Sequence, residues 1–199
     1  MSTGYSDIHK DLVLLSRDGD SKAQYRLYRL YSRAMFNIAC RMMNNREEAE
    51  DMLQEAFSDA FTRLGTFRFE SSFGAWLKQI TVNKCINELK RRKADLVLMD
   101  NIGSLNDDEE DSGFDLAGDE DTDETAVRLE VNRVHKAIGQ LPDGYRVIFS
   151  LYLLEGYDHT EIAEILNISE GTSKSQYMRA KRKLLEILNA EKNENERQT

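Results

Sequence analysis

The sequence predicts an all-α fold, two small helical domains joined by an acidic flexible linker, and three observations carry that prediction. Apolar residues recur at helical spacing behind helix-start signals, and no alternating strand pattern of useful length is present. A single Pro in 199 residues leaves long helices uninterrupted. Between the two helical stretches the composition turns abruptly acidic.

The N-terminal domain is expected over residues 1–94. Ser21 and Gln24 form a capping-box pattern for a helix to about Met43, with Tyr25, Tyr28, Leu30, Tyr31, Met35, Ile38 and Ala39 as its apolar side. Asn45 and Glu48 repeat the device for a helix to about Leu64, which Gly65 stops. On that helix Asp51, Gln54, Glu55 and Ser58 share a face at i, i+3, i+4 and i+7, opposite an apolar side of Met52, Leu53, Ala56 and Phe57. A loop through Phe67, Arg68, Phe69 and Glu70 follows. The next helix starts near Ser71 or Ser72 and ends in the basic run Lys90–Lys93.

Residues 95–124 hold 13 acidic and no basic side chains, against a balance of +4 before them and zero after them. The overall charge of −9 therefore belongs to one segment, and a low pI does not argue against a nucleic-acid partner. So acidic a run has little to bury and repels itself, which predicts a flexible tether.

The C-terminal domain is expected over 125–190, with a disordered tail over 191–199. Val127, Val131, Val134 and Ile138 keep helical spacing, and Leu141-Pro142-Asp143-Gly144 makes a turn. From Tyr157 to Leu188 the chain reads as two helices joined by a three-residue turn. Asp158 and Glu161 form a capping box, Asn167 suits a left-handed turn, and Ser169 suits an N-cap. On a helical wheel Ser173, Tyr177, Ala180, Leu184 and Leu188 fall within about 60° of Tyr177. Thr172, Ser175, Arg179, Arg182 and Lys183 lie opposite, flanked by Gln176, with Lys174 and Met178 on the shoulders. That is the layout of a helix-turn-helix whose second helix enters the major groove of DNA.

Other chemistry finds little footing. His9, His135 and His159 are scattered, and the chain has neither a phosphate-cradling Gly loop nor a metal-binding His pair, so no catalytic residue, metal or cofactor is expected. Cys40 and Cys85 lie within apolar helical patterns and read as buried, reduced thiols. No signal peptide and no apolar run of membrane-spanning length is present, which predicts a cytoplasmic protein without membrane insertion.

Three stretches resemble the bacterial RNA polymerase sigma factors of the small two-domain, extracytoplasmic-function (ECF) type. They are AEDMLQEAF at Ala49–Phe57, the aromatic and basic pattern from Phe73 to Lys93, and the run from Leu141 through Gln176. The resemblance implies a promoter-specificity subunit whose partners are core RNA polymerase and promoter DNA, duplex and melted, monomeric when free or held by an anti-sigma factor. Asp51, Gln54, Glu55 and Ser58 then face a coiled coil of the polymerase's largest subunit, although the same residues also read as an ordinary solvated face. Phe67, Arg68, Phe69, Asn83, Lys84, Asn87, Lys90, Arg91 and Arg92 take the downstream promoter element. For Phe67 and Phe69 the competing use is core packing; for the basic run it is complementing a helix C-terminus. Thr172, Lys174, Ser175, Gln176, Met178 and Arg179 read the upstream element, and Arg182 and Lys183 hold phosphates. Ser173 departs from the Val that the family often has, which predicts looser packing there. The residues also fit a stand-alone helix-turn-helix regulator, which would bind intact duplex without polymerase.

Overall fold

The computed structural model describes residues 8–100 and 125–197, with the side chains of 8–92 and 131–191. The chain divides into two compact units, Met1–Leu105 and Asn106–Thr199. All regular structure among the described residues is helical.

In the first unit, α1 (Lys10–Arg17) packs on α2 (Ser21–Met43), and α2, α3 (Arg46–Thr62) and α4 (Phe73–Asp100) pack on one another. The start of α2 differs from the sequence expectation. Asp20 is the N-cap, its Oδ1 accepting from the backbone N–H of Lys22 at 2.7 Å and of Ala23 at 3.2 Å. Gln24 instead donates to the Ser16 carbonyl. A carboxylate at the N-cap outdoes a serine one residue later because it also meets the helix dipole.

The apolar side of α2 is displaced as well. Ala23, Leu27, Met35, Ile38, Ala39, Met42 and Met43 are buried, whereas Tyr25, Tyr28 and Leu30 are exposed. Small Ala23 and Leu27 set the facing stripe, and the larger side chains beside them are left outside it. Asn45 caps α3 as expected, accepting from Glu48 N–H at 3.1 Å, and Asn44 closes α2 in the left-handed conformation at φ 55°. Met52, Leu53, Ala56 and Phe57 form the buried side of α3.

Helix α4 is the central element. Phe73, Leu77, Ile80, Thr81, Val82, Cys85 and Ile86 are buried around most of its circumference, because α2 and α3 flank it. Its first turn lies so close to α2 that a Cβ at Gly74 would stand 2.7 Å from the Tyr31 ring. The helix continues to Asp100, past the end expected at Lys93 and through the first six positions assigned to the linker. The remainder of that linker, 101–124, lies outside the described residues.

The second unit is assembled on α8 (Glu170–Arg197), against which α5 (Thr125–Gly139), α6 (Asp143–Phe149) and α7 (His159–Leu166) pack. Ala137, Ile138, Leu141, Phe149, Ala180 and Leu184 form its core. A π-helical turn, Ser150–Leu154, joins α6 to the approach to α7. Helix α8 runs to Arg197 through most of the stretch expected to be a disordered tail. Arg133 on α5 donates to the Leu188 carbonyl at 2.8 Å, and Gln140 bonds Glu191 at 3.3 Å, so the late turns of α8 have polar partners.

Cys40 and Cys85 are buried and unbonded, and burial pushes both thiols up to about 12. The thiolate is the reactive form, so at pH 8 the native protein should alkylate about a thousandfold more slowly than a free cysteine of ordinary pKa. Mass spectrometry after timed iodoacetamide exposure should find neither thiol modified until denaturant is added.

Candidate nucleic-acid interface

The helix-turn-helix forms with the predicted punctuation. Asp158 Oδ1 accepts from Glu161 N–H at 2.8 Å, and the Glu161 carboxylate accepts from Asp158 N–H at 2.8 Å. Asn167 turns the chain at φ 57°, and Ile168 N–H bonds the Ala163 carbonyl at 3.0 Å. Ser169 Oγ then caps α8 by accepting from Thr172 N–H at 3.0 Å. A fully buried Ile162 ties α7 into the core.

The two sides of α8 separate as the wheel requires. Ser173, Ala180 and Leu184 are buried and Tyr177 is half-buried, while Lys174, Ser175, Met178, Arg179, Arg182 and Lys183 are exposed. Thr172 and Gln176 are half-buried. Several of the polar groups are engaged locally. The Thr172 hydroxyl bonds Ser169 Oγ at 2.7 Å, and Ser175 donates to the Thr172 carbonyl at 3.0 Å. Lys174 pairs with Glu170 at 2.5 Å, which raises the pKa of its ammonium, and Lys183 lies 3.6 Å from Glu186. Such exposed helical pairs contribute little in water and give way readily to a competing partner.

Ser173 is not loosely packed. Its fully buried hydroxyl bonds His159 Nδ1 at 2.9 Å, which removes the cost of an unsatisfied buried polar group, about 1–3 kcal/mol.

In the first unit the sites are built on α3, α4 and the loop between them. Asp51, Gln54, Glu55 and Ser58 are all exposed on one side of α3. In the loop, Phe67 and Phe69 differ. Phe67 is buried against Trp76, with ring centroids 5.1 Å apart, and against Phe73. Of the two uses open to Phe67, core packing is the one realised, so its ring has no face left for a base. Phe69 is only half-buried, sits at φ 58°, and carries Lys10 Nζ 5.5 Å from its ring. Arg68 is exposed beside it.

Along α4 one narrow polar strip remains: Gln79, Asn83, Asn87 and Lys90 are exposed, and half-buried Trp76 stands at its head. Lys84 lies off this strip. Its ammonium pairs with Asp59 at 3.0 Å and Glu55 at 3.1 Å, and its pKa is raised, chiefly by the bond to Asp59. Two residues expected to serve different partners, Lys84 and Glu55, thus hold each other. Arg91 and Arg92 are also paired, Arg91 with Glu88 at 2.6 Å and Arg92 with Glu48 and Glu88.

Comparison with known proteins matches this arrangement at both ends. Residues 27–94 fit the family model for Sigma-70 region 2, and residues 131–184 fit that for Sigma-70, region 4. The ECF RNA polymerase sigma factor SigW of Bacillus subtilis is 30% identical over 84% of this chain and 90% of its own length. The chain is a member of the ECF family of RNA polymerase sigma factors.

The RNA polymerase sigma-H factor of Pseudomonas aeruginosa is 32% identical over 86% of this sigma factor and 89% of its own length. Among solved structures, the sigma factor RpoE in complex with the anti-sigma factor NepR from Bartonella quintana shares the fold, with a TM-score of 0.57 at 21% identity, covering 83% of this chain and 96% of that one. CnrH in complex with the cytosolic domain of CnrY does so with a TM-score of 0.53 at 24% identity, covering 92% and 99%. As a sigma factor, the protein directs promoter-specific transcription initiation with RNA polymerase. Among the described residues no helix is long and apolar enough to cross a membrane.

Sequence reasoning missed Arg146 in this sigma factor. It is buried, donating to the Leu141 carbonyl at 2.9 Å and to Asp143 at 2.5 Å, and so holds the turn that leads into α6. The spacing Asp143–Arg146 was a visible i, i+3 signal, but nothing in it announced burial.

The capping box of α7 gives a direct test of the helix-turn-helix geometry. Asp158→Ala should lower the stability of the C-terminal unit by about 1 kcal/mol. Thermal unfolding followed by circular dichroism would measure it, and an unchanged midpoint would contradict the assigned cap.

Proposed function

We propose that this sigma factor recognises its promoter with two separate sites and docks on polymerase with a third. The outer face of α8, Lys174, Ser175, Gln176, Met178 and Arg179, reads the upstream element in the major groove, with Thr172 at its N-terminal edge and Arg182 and Lys183 on phosphates. The observation that carries this reading is the segregation of α8, whose basic groups are exposed, with Gln176 half-buried at their edge, opposite a buried stripe.

The first unit takes the downstream element. Arg68 and Phe69 hold an unstacked base, Phe67 supports that loop from within the core, and Asn83 and Asn87 offer amides along the exposed strip of α4. Lys90, Arg91 and Arg92 add salt-dependent affinity for the melted strand, Arg91 and Arg92 by giving up carboxylate partners. Lys84 belongs to this set only when it leaves Glu55 and Asp59. Asp51, Gln54, Glu55 and Ser58 present acceptors to a basic coiled coil of the polymerase's largest subunit.

The protein has no catalysis of its own, needs no cofactor and acts in the cytoplasm, as a monomer or held by an anti-sigma factor as the solved RpoE is by NepR. The acidic segment tethers the two promoter-binding units.

The deciding experiment is in-vitro transcription with core polymerase over fragmented genomic DNA. Initiation should occur at a discrete set of sites, and no gain over core alone would sink the reading. Arg179→Ala should reduce discrimination at one upstream base pair by about 1–3 kcal/mol while leaving polymerase binding intact. Equal loss of both, measured by competition binding, would contradict the division of labour. Asn83→Ala should slow opening of duplex promoter but have little effect on a pre-melted template. Permanganate footprinting of both templates checks this.

A further inference from the structure

We infer that His159, Ser173 and Tyr152 form a positioning lock that sets how α8 is seated, so that upstream base preference depends on residues that touch no base. The inference rests on the reading of α8 as the groove helix and concerns what holds that helix at one rotation.

Three elements meet at this point. Ser173 lies on the inner stripe of α8, fully buried, and its Oγ bonds His159 Nδ1 at 2.9 Å. His159 is the first residue of α7. Tyr152, from the π-helical turn, stacks on the imidazole with centroids 4.4 Å apart and planes 11° apart. Tyr177, one turn beyond Ser173, touches Tyr152 at 4.5 Å and His159 edge-on at 5.8 Å. The π-helical turn, the start of α7 and the groove helix are therefore joined through one cluster of rings and one hydrogen bond.

Neither His159 nor Ser173 is needed to start its helix. Asp158 and Glu161 cap α7 between them, and Ser169 caps α8. The His159–Ser173 bond is tertiary, and it is directional in a way that an aliphatic contact is not. A buried methyl group tolerates rotation and sliding, whereas a hydrogen bond weakens steeply when its angle departs from linear.

The lever is short. With side chains included a helix has a radius of about 5–6 Å, so a rotation of ~20° moves an outer side-chain tip by ~2 Å. That exceeds the tolerance of a bidentate contact to a base edge but not that of a charge near a phosphate. Releasing the lock should degrade sequence preference before it degrades affinity.

The test uses the full chain with core polymerase and duplexes selected from a randomised upstream element. The readouts are affinity for the selected duplex, affinity for a scrambled duplex, and the unfolding midpoint of the free chain. Ser173→Ala and His159→Ala should each lower the selected-to-scrambled ratio about 5–20-fold with scrambled affinity near that of the parent, while the midpoint stays near the parent's in Ser173→Ala and falls in His159→Ala, which leaves the buried Ser173 hydroxyl unpaired. His159→Asn, whose amide offers a polar atom close to the position of Nδ1, should restore most of the ratio, and His159→Leu should not. Proportional loss of both affinities, a ratio that follows the midpoint, an unchanged ratio, or equal behaviour of Asn and Leu would each overturn the lock. Ser173→Ala removes one oxygen only, so a fold lost in the His159 variants still leaves a decisive variant. A parent holoenzyme with no duplex preference would overturn the groove reading itself, whereas a preference indifferent to these variants overturns the lock alone.

Discussion

Each unit of this sigma factor is organised around the burial of one long helix, and the surfaces left for partners follow from how that burial is achieved. Helices α4 and α8 are each 28 residues long, but they are covered differently. Neighbours flank α4 over most of its circumference, leaving a strip that runs from Trp76 past Asn83 and Asn87 to Lys90. Helix α8 is covered on one side only, so its free face is wide and carries most of its charge. A narrow amide-bearing strip suits an extended strand, and a broad, half-exposed helix suits a groove.

Electrostatics add a second layer on the same scaffold. In the first unit the acidic edge of α3 and the basic edge of α4 neutralise each other through Glu48, Glu55 and Asp59 against Lys84 and Arg92. These pairs are partly exposed, so each contributes only about 0–1 kcal/mol and gives way to a competing partner. The α3–α4 seam thus serves packing in the free chain and stands open to exchange. Among the described residues of the second unit, the basic groups of α8 that are paired find partners within the helix, Lys174 with Glu170 and Lys183 with Glu186.

Legibility in the sequence varied with the range of the interaction. The capping box at Asp158–Glu161, the left-handed Asn167 and the Ser169 cap involve neighbours within a turn, and all three stand in the structure as read. The same holds for Asn45 at α3. Where two adjacent residues were both good caps, as with Asp20 and Ser21, local pattern could not choose between them. Along α2 the hydrophobic pattern was broad enough to admit more than one stripe, and the exposed Tyr25 and Leu30 mark the error. The ends of α4 and α8 were set too early because a polar or charged composition does not itself terminate a helix. At the candidate sites, helix-borne residues such as Asn83 and Arg179 could be assigned to a face from spacing alone. Loop residues could not, since Phe67 and Phe69 have nearly the same neighbours in sequence and different exposure in space.

By itself, the sequence determined the helical class, the division into two helical parts, the sigma-factor family and the outward face of α8. Each of these depends on periodicity, caps or motif order, which are properties of neighbours along the chain. Only tertiary structure decided that Phe67 is core and Phe69 is not, that Lys84 is held by Glu55 and Asp59, and that Arg146 is buried. It also turned Ser173 from an expected defect into the partner of His159, 14 residues away. The reason is the same in every case: a side chain's cost or use is set by the group that meets it across a helix interface, and that group is distant in sequence.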